Sequence, residues 1–251
     1  MSAQVLREDC DGLCTLTLNR PDKLNALTVE MFQQLHAHLG ALEQQQEHIG
    51  AVLLRGAGRC FSAGNDLHDI AAGQALPLPH LQARTVDRLA RLPQVVIVAV
   101  HGHCYTGALE LALAGDLIVC SRSASFADTH ARWALTPLWG MSQRLPRRIG
   151  VARAREMMLL GRRYDGQRAA EMGLANLCFD DAQFETELQA LVRELLAGSW
   201  FSHRATKRLL EETDGLPLAA GLAHEVFRNA GKGPDMAARI AAFGQASGRT
   251  A

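Results

Sequence analysis

Thr106 to Leu117 reads TGALELALAGDL, a helix-like run of small and aliphatic residues that carries one carboxylate, Glu110. A carboxylate moved into an apolar interior without a partner loses several kcal/mol of hydration, so it must be paired, solvated or kept for chemistry. Burial also raises its pKa towards the range in which an acid or base works. Three positions earlier stands Gly107, which opens the helix, so its backbone N–H has no intrahelical partner and lies at the positive end of the helix dipole. One such donor is half of a site for a developing negative oxygen. A second free N–H from the Gly64-Asn65 turn would complete it, provided the two loops lie side by side. The same residues also admit a structural role: a surface glutamate on a half-exposed helix, or one paired with an arginine, and a glycine placed for steric reasons.

Other candidate chemistry is weaker. Gly56-Ala57-Gly58-Arg59-Cys60-Phe61 breaks the dinucleotide pattern G-x-G-x-x-G at its last position. The segment from Gly102 to Gly107 has phosphate-loop spacing, but Ala108 and Leu109 replace its Lys and Ser or Thr, so no nucleotide phosphate cradle is expected. His36 and His38 fall on an amphipathic helix, and His101 and His103 flank a loop glycine. None has convincing metal spacing, and structural or solvated roles are expected for them. The six cysteines contain no CxxC pair and read as reduced, mostly buried thiols.

The elements that must position Glu110 follow from periodicity. Cys14 to Leu18 alternates and meets Asn19-Arg20-Pro21-Asp22, which predicts a strand ended by a turn. Thr28 can cap a helix on which Met31, Phe32, Leu35, Leu39 and Leu42 recur at helical spacing, and Ala51 to Arg55 reads as a buried strand. A polar helix from about Leu81 to Leu92 leads to Val95 to Val100, an apolar run rich in valine and isoleucine and typical of a strand buried on both faces. Gly107 to Ala114 predicts a short apolar helix and Leu117 to Cys120 another strand. After about residue 140 the pattern turns helical, with helices at Gln167 to Met172, Phe184 to Leu196 and Ala219 to Asn229. The fold class is therefore α/β, a core of strand and helix units followed by a helical C-terminal third.

The totals narrow the partners. At 251 residues and 48% hydrophobic, the chain can bury one large core with a smaller appendage. Lys plus Arg and Asp plus Glu are equal at 26 each, and no dense basic tract appears, which argues against nucleic acid and anionic membrane surfaces and for a small molecule. The apolar region from Pro93 to Cys120 is broken by His101, Gly102, His103, Glu110 and Asp116, so no membrane span is expected there. MSAQVLREDCDG is not a secretory signal and SGRTA is not a retention or lipidation signal, so a cytoplasmic location is expected.

FSAGNDL at Phe61 to Leu67, NRPDKLNAL at Asn19 to Leu27, HGHCYTGALELALAGDL at His101 to Leu117 and SFADTHARWALTPLWGMSQRLPRRIG at Ser125 to Gly150 together resemble the crotonase superfamily, of which enoyl-CoA hydratase is the typical member. The resemblance continues through YDGQRAAEMGLAN at Tyr164 to Asn176 and DMAARIAAF at Asp235 to Phe243. It implies a ββα spiral core over residues 1–195 that binds acyl-CoA, and a helical oligomerisation region over 196–251 that builds a homotrimer or a dimer of trimers. It also implies that the Asn65 and Gly107 amides hold the thioester oxygen and that Glu110 is the first catalytic glutamate. Ala63, Asn65, Asp66, Leu67 and His68 would line the adenine and pantetheine path, with Lys23 and Leu24 as further coenzyme contacts. The implied substrate is an acyl-CoA thioester, with CoA arriving as part of it and no metal or redox cofactor needed.

One position departs from the pattern. The family's hydratases place a second glutamate twenty positions after the first, where this chain has His130. Asp128 is two residues away, which in an extended segment keeps it on the same face but displaced by about 6–7 Å, so it is not taken as the replacement. Three outcomes stay open: His130 acts as acid or base, Glu110 works alone while His130 shapes the pocket, or the site serves another acyl-CoA reaction or none. Hydration of a 2-enoyl-CoA is the expected activity, enoyl-CoA isomerisation its rival, and a silent acyl-CoA binder the alternative outside catalysis. Trp133 and Trp139 are expected to pack under the active-site loop, and Leu138 to favour a short or branched acyl group.

Overall fold

The computed structural model describes residues 3–73 and 76–247; the first two residues and the last four, parts of the terminal segments read above, lie outside the described residues. Two compact units divide the chain, Met1–Arg193 and Glu194–Ala251.

The first unit is organised around β4 (Val95–Val100), the apolar run just noted, whose last five residues are all buried. A strand buried on both faces belongs in the middle of a parallel sheet. Accordingly β4 pairs in parallel with β3 (Ala51–Gly56) on one side and β6 (Leu117–Ser121) on the other. Outwards lie β2 (Leu13–Leu18), parallel to β3, and the antiparallel edge strand β1 (Val5–Cys10), while β9 (Leu177–Phe179) closes the opposite edge beside β6. A smaller sheet has β7 (Ser125–Ala127) in its centre, parallel to β5 (His103–Tyr105) and antiparallel to β8 (Tyr164–Asp165).

Parallel neighbours need crossover connections, and helices supply them. Helix α1 (Val29–Leu42) joins β2 to β3; Thr28 caps it by accepting from the Met31 N–H at 3.1 Å, and the five apolar positions read from its spacing are all buried. Helices α2 (Leu67–Ala72) and α3 (Leu81–Ala90) follow β3, and α4 (Gly107–Ala112) stands between β5 and β6 with every residue buried. Helices α5 (Met141–Ile149), α6 (Val151–Leu160), α7 (Gly166–Glu171) and α8 (Phe184–Ala197) follow the small sheet, and Asp165 caps α7. The sequence pattern therefore located the central strands and most helices; it did not register the edge strands β1 and β9, α2 or the strands of the small sheet.

The second unit carries α9 (Trp200–Thr213), α10 (Leu218–Arg228) and α11 (Met236–Ser247). Within it Asp235 accepts from Ser199 at 3.0 Å, and Arg239 donates to the Ala197 carbonyl at 2.9 Å. Among the described residues no helix is long and apolar enough to cross a membrane.

Candidate active site

The loop after β3 is fixed residue by residue. The Phe61, Ser62 and Ala63 N–H groups donate to His101, His103 and Leu24 carbonyls at 2.7, 2.8 and 2.9 Å. Gly64 N–H donates to Ser62 Oγ at 3.2 Å and Asp66 N–H to the Leu27 carbonyl at 2.9 Å. Beneath this loop sits Asn25, fully buried, whose side chain accepts from Arg20 N–H and donates to the Ala57 and Cys60 carbonyls, each at 2.8 Å. A buried amide with all these bonds made rigidifies its surroundings, and NRPDKLNAL is thereby explained as the clamp of FSAGNDL.

Asn65 is the exception in this loop. Leu27 bridges to it in parallel fashion by donating to the Gly64 carbonyl and accepting from Asp66 N–H, which turns the N–H of Asn65 itself to the opposite side. Among the described residues it has no acceptor, and Asn65 lines a cavity of about 370 Å³, a size suited to a small-molecule site. Gly107, the first residue of α4, lines the same cavity, and its N–H is likewise without an acceptor. The two bends lie side by side: a Cβ built on Gly64 would come 3.7 Å from the Gly107 nitrogen. The two bends thus meet the condition that the paired-donor reading set.

Their aim is held by unusual backbone. Thr106, before Gly107, has φ +53°, which a β-branched residue rarely adopts. It is pinned by its N–H to the Ala127 carbonyl at 2.8 Å and by its hydroxyl to Thr129 Oγ1 at 2.6 Å. Gly64 has φ +103°, and a Cβ there would stand 2.6 Å from the Tyr105 carbonyl oxygen. Gly64→Ala is therefore expected to cost about 1–3 kcal/mol of stability and to misalign the Asn65 amide. Thermal melts and acyl-CoA titrations would check this; an alanine variant with unaltered melting and binding would show that the turn tolerates the clash.

Glu110 lies three residues along α4 from Gly107, only 2% exposed, and lines the cavity. Its Oε1 accepts from the Trp139 and Met141 N–H groups at 2.8 and 3.1 Å, which fixes the carboxylate plane. Burial raises its pKa; the two amide bonds and His130 oppose that rise, while the Asp128 charge adds to it. Oε2 faces His130 Nε2 at 3.8 Å. His130 Nδ1 lies 2.6 Å from Asp128 Oδ1, which also accepts the His130 N–H at 3.0 Å. A carboxylate in that position accepts a hydrogen bond from Nδ1–H, so Nε2 is the working nitrogen. Burial works against protonating this ring, but the Asp128 hydrogen bond and charge, with the Glu110 charge, outweigh it and raise the pKa. The chain turns after β7, so Asp128 reaches back to the His130 ring instead of standing beside it on one face.

Of the other residues expected on the coenzyme path, Ala63 and Leu67 line the cavity. Lys23, Leu24, Asp66 and His68 do not; Leu24 adjoins the path through its carbonyl bond to Ala63, and Asp66 caps α2 and pairs with Arg20 at 3.0 Å. Trp139 is buried edge-on against Phe32, whereas Trp133, expected to pack beneath the loop, is 55% exposed on the cavity wall beside Leu138. His36 bonds Thr85 and Arg88, and His101 bonds the Gly58 carbonyl, which are the structural roles anticipated. Every cysteine is free and four of the six are buried, with Cys10 exposed and Cys178 half-buried.

Comparison with known proteins places these features in context. The sequence profile of the enoyl-CoA hydratase/isomerase family matches residues 8–231. The chain is 36% identical over 241 residues, 92% of each sequence, to 1,2-epoxyphenylacetyl-CoA isomerase of Escherichia coli K12. It is 30% identical to 4-chlorobenzoyl coenzyme A dehalogenase-2 of an Arthrobacter species, over 94% of this chain and 88% of the relative. Among solved structures, enoyl-CoA hydratase from Bacillus anthracis superposes with a TM-score of 0.90 at 28% identity, covering 96% of both chains. A Thermobifida fusca structure in complex with acetoacetyl-CoA gives 0.83 at 29% identity, with 95% of both covered.

Proposed function

Because this chain belongs to the enoyl-CoA hydratase/isomerase family and has the crotonase fold, we propose that it adds water across the double bond of a 2-enoyl-CoA thioester. The observation that carries this reading is the pairing of Glu110 Oε2 and His130 Nε2, 3.8 Å apart, beside two convergent amides. The thioester oxygen sits on the Asn65 and Gly107 N–H groups, each of which can lower the barrier to an enolate by roughly 3–4 kcal/mol. At 3.8 Å both side chains can contact one water oxygen at ordinary hydrogen-bond lengths. Glu110 takes a proton from that water as its oxygen bonds to Cβ, the Cα–Cβ pair shifts into a Cα–C1 double bond while the carbonyl pair moves onto the thioester oxygen, and His130 then delivers its Nε2 proton to Cα as the carbonyl re-forms. Transfer of a proton from Glu110 to His130 restores the pair.

Isomerisation of an enoyl-CoA is the second reading, supported by the matching family, which is described as hydratase/isomerase. It needs the same enolate but no water: one of the pair removes a proton from Cα of a 3-enoyl-CoA and a proton returns at Cγ. The purified protein is expected to hydrate crotonyl-CoA, seen as loss of conjugated-thioester absorbance, faster than it conjugates 3-hexenoyl-CoA. The reverse ranking makes it an isomerase; tight binding of both without turnover makes it a silent binder.

Ala63, Asn65 and Leu67 are proposed to guide the pantetheine arm, with Lys23, Leu24 and His68 reaching the outer coenzyme. Leu218, Val226 and Phe227 on α10 are exposed, which supports a proposed homotrimer or dimer of trimers in which helices of the second unit bury them.

A further inference from the structure

On the acyl-CoA reading above, the thioester lies at Asn65 and Gly107, and the chain beyond Cβ passes Glu110 and His130. Two arginines, Arg132 and Arg163, line the same cavity as that pair. Arg132 follows His130 in a short 3-10 turn (His130–Trp133) and donates Nη2 to the Gly161 carbonyl at 2.6 Å, which draws the turn around Gly161 against this wall. Arg163, two residues beyond Gly161, lies with its guanidinium carbon 5.5 Å above the centre of the Tyr105 ring.

Both arginines are exposed, so each guanidinium meets solvent at the cavity wall. Arg162, the immediate neighbour, pairs with Glu156 at 3.4 Å and does not line the cavity. Among the described residues neither Arg132 nor Arg163 has a carboxylate within ion-pair distance, and Glu110 is turned to His130. The rest of the wall mixes apolar side chains such as Leu135 and Leu138 with hydroxyls, of which Tyr105 bonds Ser125 and Thr129 bonds Thr106. Stacking on an aromatic face holds Arg163 while leaving its donor edge unused, and a guanidinium recognises a carboxylate through two parallel N–H donors.

We propose that the acyl group carries a second carboxylate at its far end, held by Arg163 and Arg132, so that the preferred substrate is a dicarboxylic acyl-CoA thioester. Charge-assisted pairing of this kind changes affinity by about tenfold or more.

The test uses saturated thioesters, which bind without reacting: succinyl-, glutaryl- and adipyl-CoA against butanoyl-, pentanoyl- and hexanoyl-CoA, titrated calorimetrically into the full chain. At one chain length or more the acid-bearing thioester is expected to bind about tenfold tighter than its neutral counterpart. That ratio should collapse towards one in Arg163→Met, shrink in Arg132→Gln and in Arg163→Lys, which keeps the charge but not the fork, and persist in Arg162→Met. Equal affinities in the wild type at every length overturn the proposal. So does a loss in Arg163→Met that is the same for both members of a pair, which would assign the arginine to the coenzyme phosphates. Failure of all six thioesters to bind would remove the acyl-CoA reading itself, and this inference with it.

Discussion

Glu110→Gln is expected to lower kcat by about 10³-fold while leaving acyl-CoA affinity within a few-fold. The substitution separates chemistry from architecture, because a glutamine oxygen can still accept from the Trp139 and Met141 N–H groups that now hold Oε1. What disappears is the only buried carboxylate oxygen that faces both the cavity and His130 among the described residues. Stability should move the other way. The folded-state pKa of Glu110 is raised, chiefly by burial, so the folded chain holds this proton more tightly than the unfolded one. Its contribution is present below the ordinary glutamate range and is lost as pH rises through the folded value. A neutral glutamine lacks that loss, so thermal melts should show the variant gaining on the wild type as pH rises above about 4.5. A variant that still turns over at near wild-type rate would end the assignment of Glu110 to proton transfer.

The contrast between Glu110 and Asp128 shows how far the sequence could be read. Glu110 was conspicuous because its neighbours on α4 are leucines and alanines, and periodicity is strong where a helix or central strand is buried. The same signal located β4 and α1. It fails for β1, where Val5 alone is buried, since an edge strand facing solvent need not alternate. Strands β5, β7 and β8 are two or three residues long, too short to show a period, and exist only through partners distant in the chain, such as Phe126 and Tyr164. Asp128 was set aside on the parity of an extended segment, but β7 ends at Ala127 and the chain coils into a 3-10 turn at His130. There the carboxylate accepts the N–H two residues on, as aspartates do in turns, and meets the ring of the same residue. The D-x-H spacing carried that signal; reading the segment as a strand concealed it. Asn25 escaped notice for a related reason, as its φ of +52° and buried bonds are tertiary facts.

The missing second glutamate makes His130 the sharper question, and His130→Ala is expected to reduce kcat by about 10²-fold or more. In the proposed hydration the ring must enter as imidazolium. Its pKa is raised because Asp128 and Glu110 together overcome the burial that would lower it, so the protonated form persists above the ordinary value of about 6.5. The rate should therefore hold beyond about pH 6.5 and fall as pH rises through the folded value. Stability contributed by the charged ring follows the same sign, complete below about pH 6.5 and lost across that same interval. Asp128→Asn removes the first of the two supports without touching the cavity, so it should shift the alkaline limb of kcat to lower pH and leave KM little changed. A purely structural Asp128 would lower stability and activity at all pH values with the limb in place. If instead the His130→Ala variant keeps the wild-type rate, the imidazole is only a wall of the cavity. Glu110 would then have to transfer both protons alone, which suits an isomerase, where a single group can take the proton from one carbon and return it to another, better than a hydratase.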